Sequence, residues 1–184
     1  MMKKRCDWAR TPLEIIHHDT IWGRPEHEDL KLFEFLILEG MQAGLSWNTI
    51  LQKQENMRQA FDNFDPKCIA EYDEQKEAEL LGNAGIIRNR LKIKSLALNA
   101  QAFLRVQAEF ESFDAYIWGF VDNKPLVNNW ETTAQIPTKT ACSQKLSTDL
   151  LKRGFKFVGP TICYALMQTI GMVDDHLACC DWHD

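Results

Sequence analysis

No stretch of this chain carries the ~18 consecutive apolar residues that a membrane-spanning helix needs. Its first residues, which include Lys3, Lys4, Arg5 and Asp7, hold no apolar core of the kind a secretory signal requires. These two absences lead us to expect a cytoplasmic protein without a membrane partner. Also missing are alternating strand patterns, internal repeats, low-complexity tracts and linkers. The only long polar and proline-containing interruption lies at 122–138. There is no excess of positive charge, because the formal net charge is −5. Global attraction to nucleic acid is therefore excluded, and such a partner would have to be held by a local basic surface. Without an export signal, the six cysteines are expected as thiols or metal ligands and not as disulfides. Cys68, Cys142 and Cys163 then read as small buried hydrophobes.

What is present suits one folded unit over residues 1–184. Hydrophobic residues make up 45% and charged residues 26%, the balance of an ordinary globular protein. A chain of this length buries roughly 70% of its unfolded surface, so a core forms without disulfides. Leu30, Phe33, Ile37 and Leu38 recur at helical spacing, with Phe35 and Leu36 widening the stripe into a largely buried helix. Ser46 caps the next, which turns Ile50, Leu51, Met57 and Phe61 inward before Asn63 and Pro66 break it. Asp65 caps another. A helix over 74–81 ends at Gly82, and the turn at 83–85 leads into a long helix over 87–109. Helices over 112–121, 140–153 and 161–170 complete the set, whereas the first thirty residues read as irregular. The fold class is all-α, a single-domain orthogonal helical bundle.

Cys6 and His18 lie near one end and His176 and Cys180 near the other. Two thiols and two imidazoles make a tetrahedral zinc set, and the spacing of His176 and Cys180 puts them on one face if that segment is helical. Four protein ligands leave zinc no open position, so the metal would be a structural clasp. Chemistry must then come from between.

Three constellations could carry it. In the first, Gly82 and Gly85 open a hairpin before Arg88 and Arg90, a helix-hairpin-helix pattern in which backbone passes close to a phosphate and helix-start N–H groups face the anion. An ordinary helical turn with a glycine cap fits the spacing equally. A second basic run holds Lys152, Arg153 and Lys156, and both runs could simply be solvated helix faces. In the second, Glu39 ends an apolar helix and Trp47 follows the turn at Gly44. A carboxylate beside an indole suits a flat, cationic heteroaromatic ligand with N–H donors. The plainer alternative is a solvent-facing Glu39 and a core Trp47. The third is the N-terminal arm, where Trp8, His17 and Trp22 interleave with Cys6 and His18 and could wall a cavity.

In order and spacing these blocks, with 84–88, 152–159 and Asp175-His176, resemble the DNA-3-methyladenine glycosylase I family of the helix-hairpin-helix superfamily over essentially the whole chain. The resemblance implies a monofunctional enzyme that flips 3-methyladenine out of alkylated double-stranded DNA and hydrolyses its N-glycosidic bond, releasing the free base. It implies a monomer with one structural zinc on Cys6, His18, His176 and Cys180, with Cys179 as the rival fourth ligand. Glu39 becomes the carboxylate that recognises the base, Trp47 its stacking platform, and Trp8, Trp22 and His17 pocket walls. Leu45 becomes the wedge that fills the duplex, with phosphates held by Gly85, Arg88, Arg90, Lys152, Arg153 and Lys156. His17 stands where the family usually has tyrosine, and Glu14 where it often has another aromatic. The superfamily's catalytic aspartate after the hairpin has no counterpart, since no acid follows Arg88 before Glu109. A zinc-stapled DNA-damage-binding module without turnover, or a helical protein-binding domain, are the alternatives.

Overall fold

A computed structural model describes residues 3–183 and contains nine α-helices among them. The first is α1 (Pro12–Thr20), in the region expected to be irregular. It forms because Thr11 and Glu14 make a capping box and Pro12 occupies the first turn, a signal the reading of the arm overlooked.

Helix α2 (Asp29–Gln42) runs through the middle, with every residue from Leu32 to Met41 buried. An element apolar on all sides must be surrounded. Around it pack α3 (Trp47–Ala60), α6 (Arg90–Phe110), α7 (Phe113–Trp118) and α9 (Pro160–Thr169). Between these lie the short α4 (Pro66–Ile69), α5 (Glu74–Gly82) and α8 (Ala141–Lys152), the last against α9. Side chains of Ser46, Asp65, Asp73, Asn89, Ser112 and Thr140 accept from first-turn N–H groups of the helices they precede. Each such cap is worth about 1 kcal/mol. Asp29 does this for α7 from a distance, accepting from the N–H groups of Phe113 and Asp114 at 2.8 Å and tying the two helices together.

The long helix α6 begins three residues later than its apolar pattern suggests, because Asn89 accepts from the N–H groups of both Leu91 and Lys92. Cys163 is buried as expected, but Cys68 is exposed and Cys142 only partly covered; all six cysteines are free thiols. The only strands among the described residues are β1 (Leu126–Val127) and β2 (Val173–Asp174), paired in parallel. No helix of the described residues is long and apolar enough to cross a membrane.

The main apolar core fills the space between α2 and its neighbours, with Phe33, Phe103, Phe113 and Phe155 packed ring against ring. A second, smaller core joins the two chain termini through Cys6, Trp22, Leu177 and Cys180, flanked by Trp8, Trp130 and Trp182. Two glycines let the segments meet. Gly171 has φ +72°, and a Cβ there would lie 2.2 Å from the Arg24 carbonyl carbon. Gly23 has φ +74°, and its Cβ would lie 2.7 Å from the His176 ring. Any other residue at either place would push the arm off the C-terminal segment.

Candidate active site

Adjacent residues on an α-helix point about 100° apart, so one turn of α1 can serve two sites. His17 faces a cavity of about 380 Å³, and its neighbour His18 faces the cysteines of the terminal cluster. The cavity is walled by Trp8 and Trp22 of the arm, Trp47 at the start of α3, Glu39 of α2 and Thr169 at the end of α9. Its volume is that of a small-molecule site. His17 and Trp47 approach with ring centroids 5.1 Å apart, as do Trp8 and Trp22. The sequence reading thus placed five residues together, Trp8, His17, Trp22, Glu39 and Trp47, and the fold does bring them to one cavity.

The alternative of a solvent-facing Glu39 is incorrect. The residue is 2% exposed. Three more helical residues follow it before α2 ends at Gln42, and α9 covers it. Its Oε1 accepts a hydrogen bond from the Thr169 hydroxyl at 2.7 Å, while Oε2 has no partner. Burial pushes the Glu39 pKa up to about 7, with the Thr169 hydrogen bond opposing. His17 is shifted the other way. Burial, with a smaller contribution from His18, brings its pKa to about 4, so its imidazole is neutral at pH 7. A neutral ring does not repel a cationic ligand.

Buried polar atoms in native proteins nearly always have partners. Among the described residues, four buried side-chain polar atoms lack one. Three of them, Glu39 Oε2, Trp47 Nε1 and His17 Nε2, belong to residues that line this cavity. An acceptor, a donor and an imidazole nitrogen between aromatic walls are the fittings of a site for a flat ring with polar edges.

The fourth is His176 Nε2, at the terminal cluster. There the ligand atoms of Cys6, His18 and Cys180 all lie within 4.8 Å of one another and are buried. The His176 ring stands edge-on to His18, with centroids 4.9 Å apart. Each histidine is oriented through its other nitrogen, His18 Nδ1 at 2.9 Å from Asp19 and His176 Nδ1 at 2.7 Å from Asp174. That carboxylate–histidine pattern is the outer shell of metal sites, and the donor set with its orphan nitrogen fits a thiophilic cation such as zinc. Cys180 is buried in the cluster, whereas Cys179 is exposed. Residues 176–180, which would share a face only if helical, do not form a helix. The segment turns instead, with the Cys180 N–H bonded to the Leu177 carbonyl at 2.7 Å, and so faces the arm across the paired segment at Trp130.

The basic residues separate into two kinds. Arg88, Arg90, Lys152 and Lys156 are exposed, and Leu45, 42% exposed, sits beside Gly44 at the tip of the turn after α2. Gly44, Leu45, Lys53 and Arg88 line one hollow of about 500 Å³. The fold therefore sets the proposed wedge next to the basic hairpin. Arg153 is a correction to the free phosphate-binding cation that its sequence context suggests. Its guanidinium bonds Asp149 at 2.6 Å and Glu109 at 2.8 Å and lies over the rings of Phe110 and Tyr116. The hairpin's glycine also differs from expectation. Gly85 donates its N–H to Asn83 Oδ1 at 2.9 Å, and the Leu91 and Lys92 N–H groups are occupied by Asn89. These particular donors are thus not free for an anion. Lys92, which the sequence places in the basic run, is buried and donates to the carbonyls of Met41 and Ala43 at 2.8 and 2.7 Å. It caps the end of α2 and holds the turn carrying Leu45.

Two residues at or beside the site were given no role by sequence reasoning. Thr169 sits in an apolar run, where nothing marks its hydroxyl as facing Glu39. Asp175, fully buried, accepts from Asn128, Trp130, Tyr164 and Gln168 at 2.6–2.8 Å, and so fastens the loop after β1 to α9 beside the cavity. Its place in a run of two acids before a histidine was the available signal.

The methyladenine glycosylase family profile matches residues 8–183. DNA-3-methyladenine glycosylase 1 of Escherichia coli (strain K12) is 48% identical over 178 residues, 96% of this chain and 95% of that protein. A crystal structure of 3-methyladenine DNA glycosylase I superposes with a TM-score of 0.96 at 48% identity, covering 98% of this chain and 100% of the other. The Staphylococcus aureus 3-methyladenine DNA glycosylase I, solved to explain its recognition of 3-methyladenine, gives a TM-score of 0.94 at 32% identity, covering 98% of this chain and 96% of the other.

Proposed function

The chain belongs to the methyladenine glycosylase family, and on that premise we propose that it is a DNA-repair hydrolase that excises 3-methyladenine from alkylated double-stranded DNA. The observation that carries this reading is the set of three unpartnered buried polar atoms around one aromatic-walled cavity. Such a set is costly without a ligand and satisfied by a purine with polar edges.

A base inside the duplex is out of reach, so the nucleotide must first be extruded, at a cost of a few kcal/mol that a damaged base lowers. Leu45 fills the vacated space, and the exposed Arg88, Arg90, Lys152 and Lys156 hold phosphates on either side. The hairpin bearing Gly85 brings backbone close to the strand. Within the cavity, Trp47 stacks on the base and Glu39 Oε2 accepts a hydrogen bond from its edge. His17 Nε2 offers a further polar contact, and Trp8 and Trp22 close the remaining walls.

N3-methylated adenine is a cation. Water adds to C1′ and gives up a proton to solvent while the C1′–N9 bond breaks, and the bond's electron pair leaves with the base and cancels its charge. Little acid catalysis is needed, because the lesion is its own leaving-group activator. Glu39 is then set to favour the charged base over a neutral one, and to assist positive charge developing on the sugar. No lysine is required as a nucleophile, and the Lys92 amine is bound to two carbonyl oxygens.

Zinc held by Cys6, His18, His176 and Cys180 would act as a staple between the arm and the C-terminal segment. With four protein ligands it would supply fold energy and no open coordination position. The six free thiols suit a cytoplasmic enzyme, and a base cavity walled by residues of one chain suits a monomer.

The test is release of free base from methylated duplex DNA, comparing 3-methyladenine with 7-methylguanine and adenine. Trp47→Ala is expected to lose about 10- to 100-fold, the worth of one base–aromatic stack, and Glu39→Ala about 100-fold or more. Wild-type rates in both variants would overturn the assignment. Tight binding of damaged duplex by the wild-type protein with no release would identify a damage-binding module instead.

A further inference from the structure

Glu39 is the only acid of the cavity without a cation or a set of backbone donors around it. Glu14, the other carboxylate there, accepts from the N–H groups of Arg10 and Thr11 as part of the α1 cap. Glu34, one helical turn and a little more before Glu39 on α2, bonds Lys31, Arg58 and Gln54. For Glu39, burial and a single hydroxyl are the two influences.

We propose that Thr169 is a positioning residue for base recognition: its hydroxyl holds Glu39 Oε1 at 2.7 Å and thereby presents Oε2 alone to the extruded base. The proposal rests on the reading of Glu39 as the base-recognising carboxylate and goes beyond it by naming what aims that carboxylate.

The geometry carries it in three ways. Thr169 is 3% exposed and β-branched, so its side chain has little rotational freedom and water does not compete for its hydroxyl. It lines two hollows at once, the aromatic cavity on one side and, on the other, a chamber of about 330 Å³ containing Arg24, Lys31, Glu34 and Arg58. Threonine is thus the partition between the base site and a charged compartment, and the only group from that partition bonded to Glu39 among the described residues is its hydroxyl. Finally, a hydroxyl donor favours the ionised over the protonated carboxyl, which is the state a cationic base requires. The polar and titratable groups that line the cavity with Glu39 include His17 and Glu14 of α1, Trp47 of α3, and Gln168 and Thr169 of α9. Of these only His17 and Glu14 titrate, and both are displaced downward, by burial at His17 and by N–H donors outweighing burial at Glu14. An acid limb near neutrality therefore belongs to Glu39.

The experiment is the pH profile of kcat/KM for 3-methyladenine release by the wild type, Thr169→Val, Thr169→Ser and Glu39→Gln, with circular dichroism as the check on folding. Loss of the hydroxyl in Thr169→Val is expected to move the acid limb up by about one pH unit, a loss of roughly fivefold at pH 7 that falls to about twofold at pH 8 and vanishes above it. Thr169→Ser keeps a donor and should return the limb to its wild-type place, a rescue that a merely space-filling threonine would not give. Superimposable profiles for folded Thr169→Val and wild type, with Glu39→Gln inactive, would overturn the role of Thr169 and leave that of Glu39 standing. Wild-type release by Glu39→Gln would overturn both. Should Thr169→Val not fold, the Thr169→Ala and Thr169→Ser pair makes the same comparison.

Discussion

Replacing Glu39 with glutamine should make this protein more stable and less active, by an amount that depends on pH in a defined way. The amide keeps the shape of the carboxyl, can accept from Thr169 through its oxygen, and removes only the charge. Burial holds the Glu39 pKa at about 7 against an ordinary 4.5. At about 1.4 kcal/mol per pH unit, the gap makes ionisation of this group cost the fold about 3 kcal/mol. Between roughly pH 4.5 and 7 the folded chain keeps a proton that the unfolded chain has released. Stability contributed by this residue therefore falls as pH rises through that window, and above pH 7 the full cost is present. Glu39→Gln lacks the titration. Its advantage over the wild type should be under about 1 kcal/mol at pH 5 and approach about 3 kcal/mol at pH 8. For a chain of this length that corresponds to roughly 6–12 °C in Tm at the higher pH. Urea denaturation and thermal melts of both proteins from pH 5 to 8.5 measure the difference, in which titrations of all other groups cancel. A gap that does not change with pH, or a variant less stable than wild type at pH 8, would refute the argument. Excision by the variant should be lost under all these conditions, the usual opposition of stability and function at a binding site.

Three further outcomes are expected. Chelation, or Cys6→Ser, should lower unfolding stability by on the order of 3–5 kcal/mol while changing excision per folded molecule far less; unchanged melting with chelator would remove the staple. Arg88→Ala with Arg90→Ala should weaken DNA binding and reduce the slope of log affinity against log salt by about 2, whereas Arg153→Ala should leave the slope alone and cost about 1 kcal/mol of stability through lost ring contacts and ion pairs. An unchanged slope in the double variant would remove Arg88 and Arg90 from the phosphate contacts, and a lowered slope in Arg153→Ala would return Arg153 to them. His17→Tyr, which restores the family's usual residue, should retain or raise activity, and complete loss would give the histidine a role of its own.

Helix content was legible in the sequence because it rests on strong local signals, whereas the joining of Glu39 and Trp47 to the aromatic arm was legible only through the family resemblance. Ser46, Asp65 and Ser112 announce helix starts by their own chemistry, and a run as apolar as that around Phe33 has nowhere to go but the interior. What escaped was set by tertiary partners. Lys92 and Arg153 look like members of basic runs, yet carbonyls and carboxylates distant in sequence claim them. The turn at 176–180 follows its pairing with Trp130 and the arm, not its local spacing. Thr169 is invisible without coordinates, since its importance lies in which oxygen it happens to meet. Helix α1 was different, because the capping box at Thr11 and Glu14 was there to be read.

His17 and His18 sit side by side on one short helix, with one ring in the wall of the cavity and the other among donors contributed by the chain's last residues. A nascent polypeptide that has made everything up to Thr169 would own the acid, the indole, the hydroxyl and the α3 face on which α1 packs, but not the segment that supports the other side of the arm. The wall formed by Trp8 and Trp22 gains its second support only when His176 and Cys180 have been made, so one side of the compartment is finished well after the other.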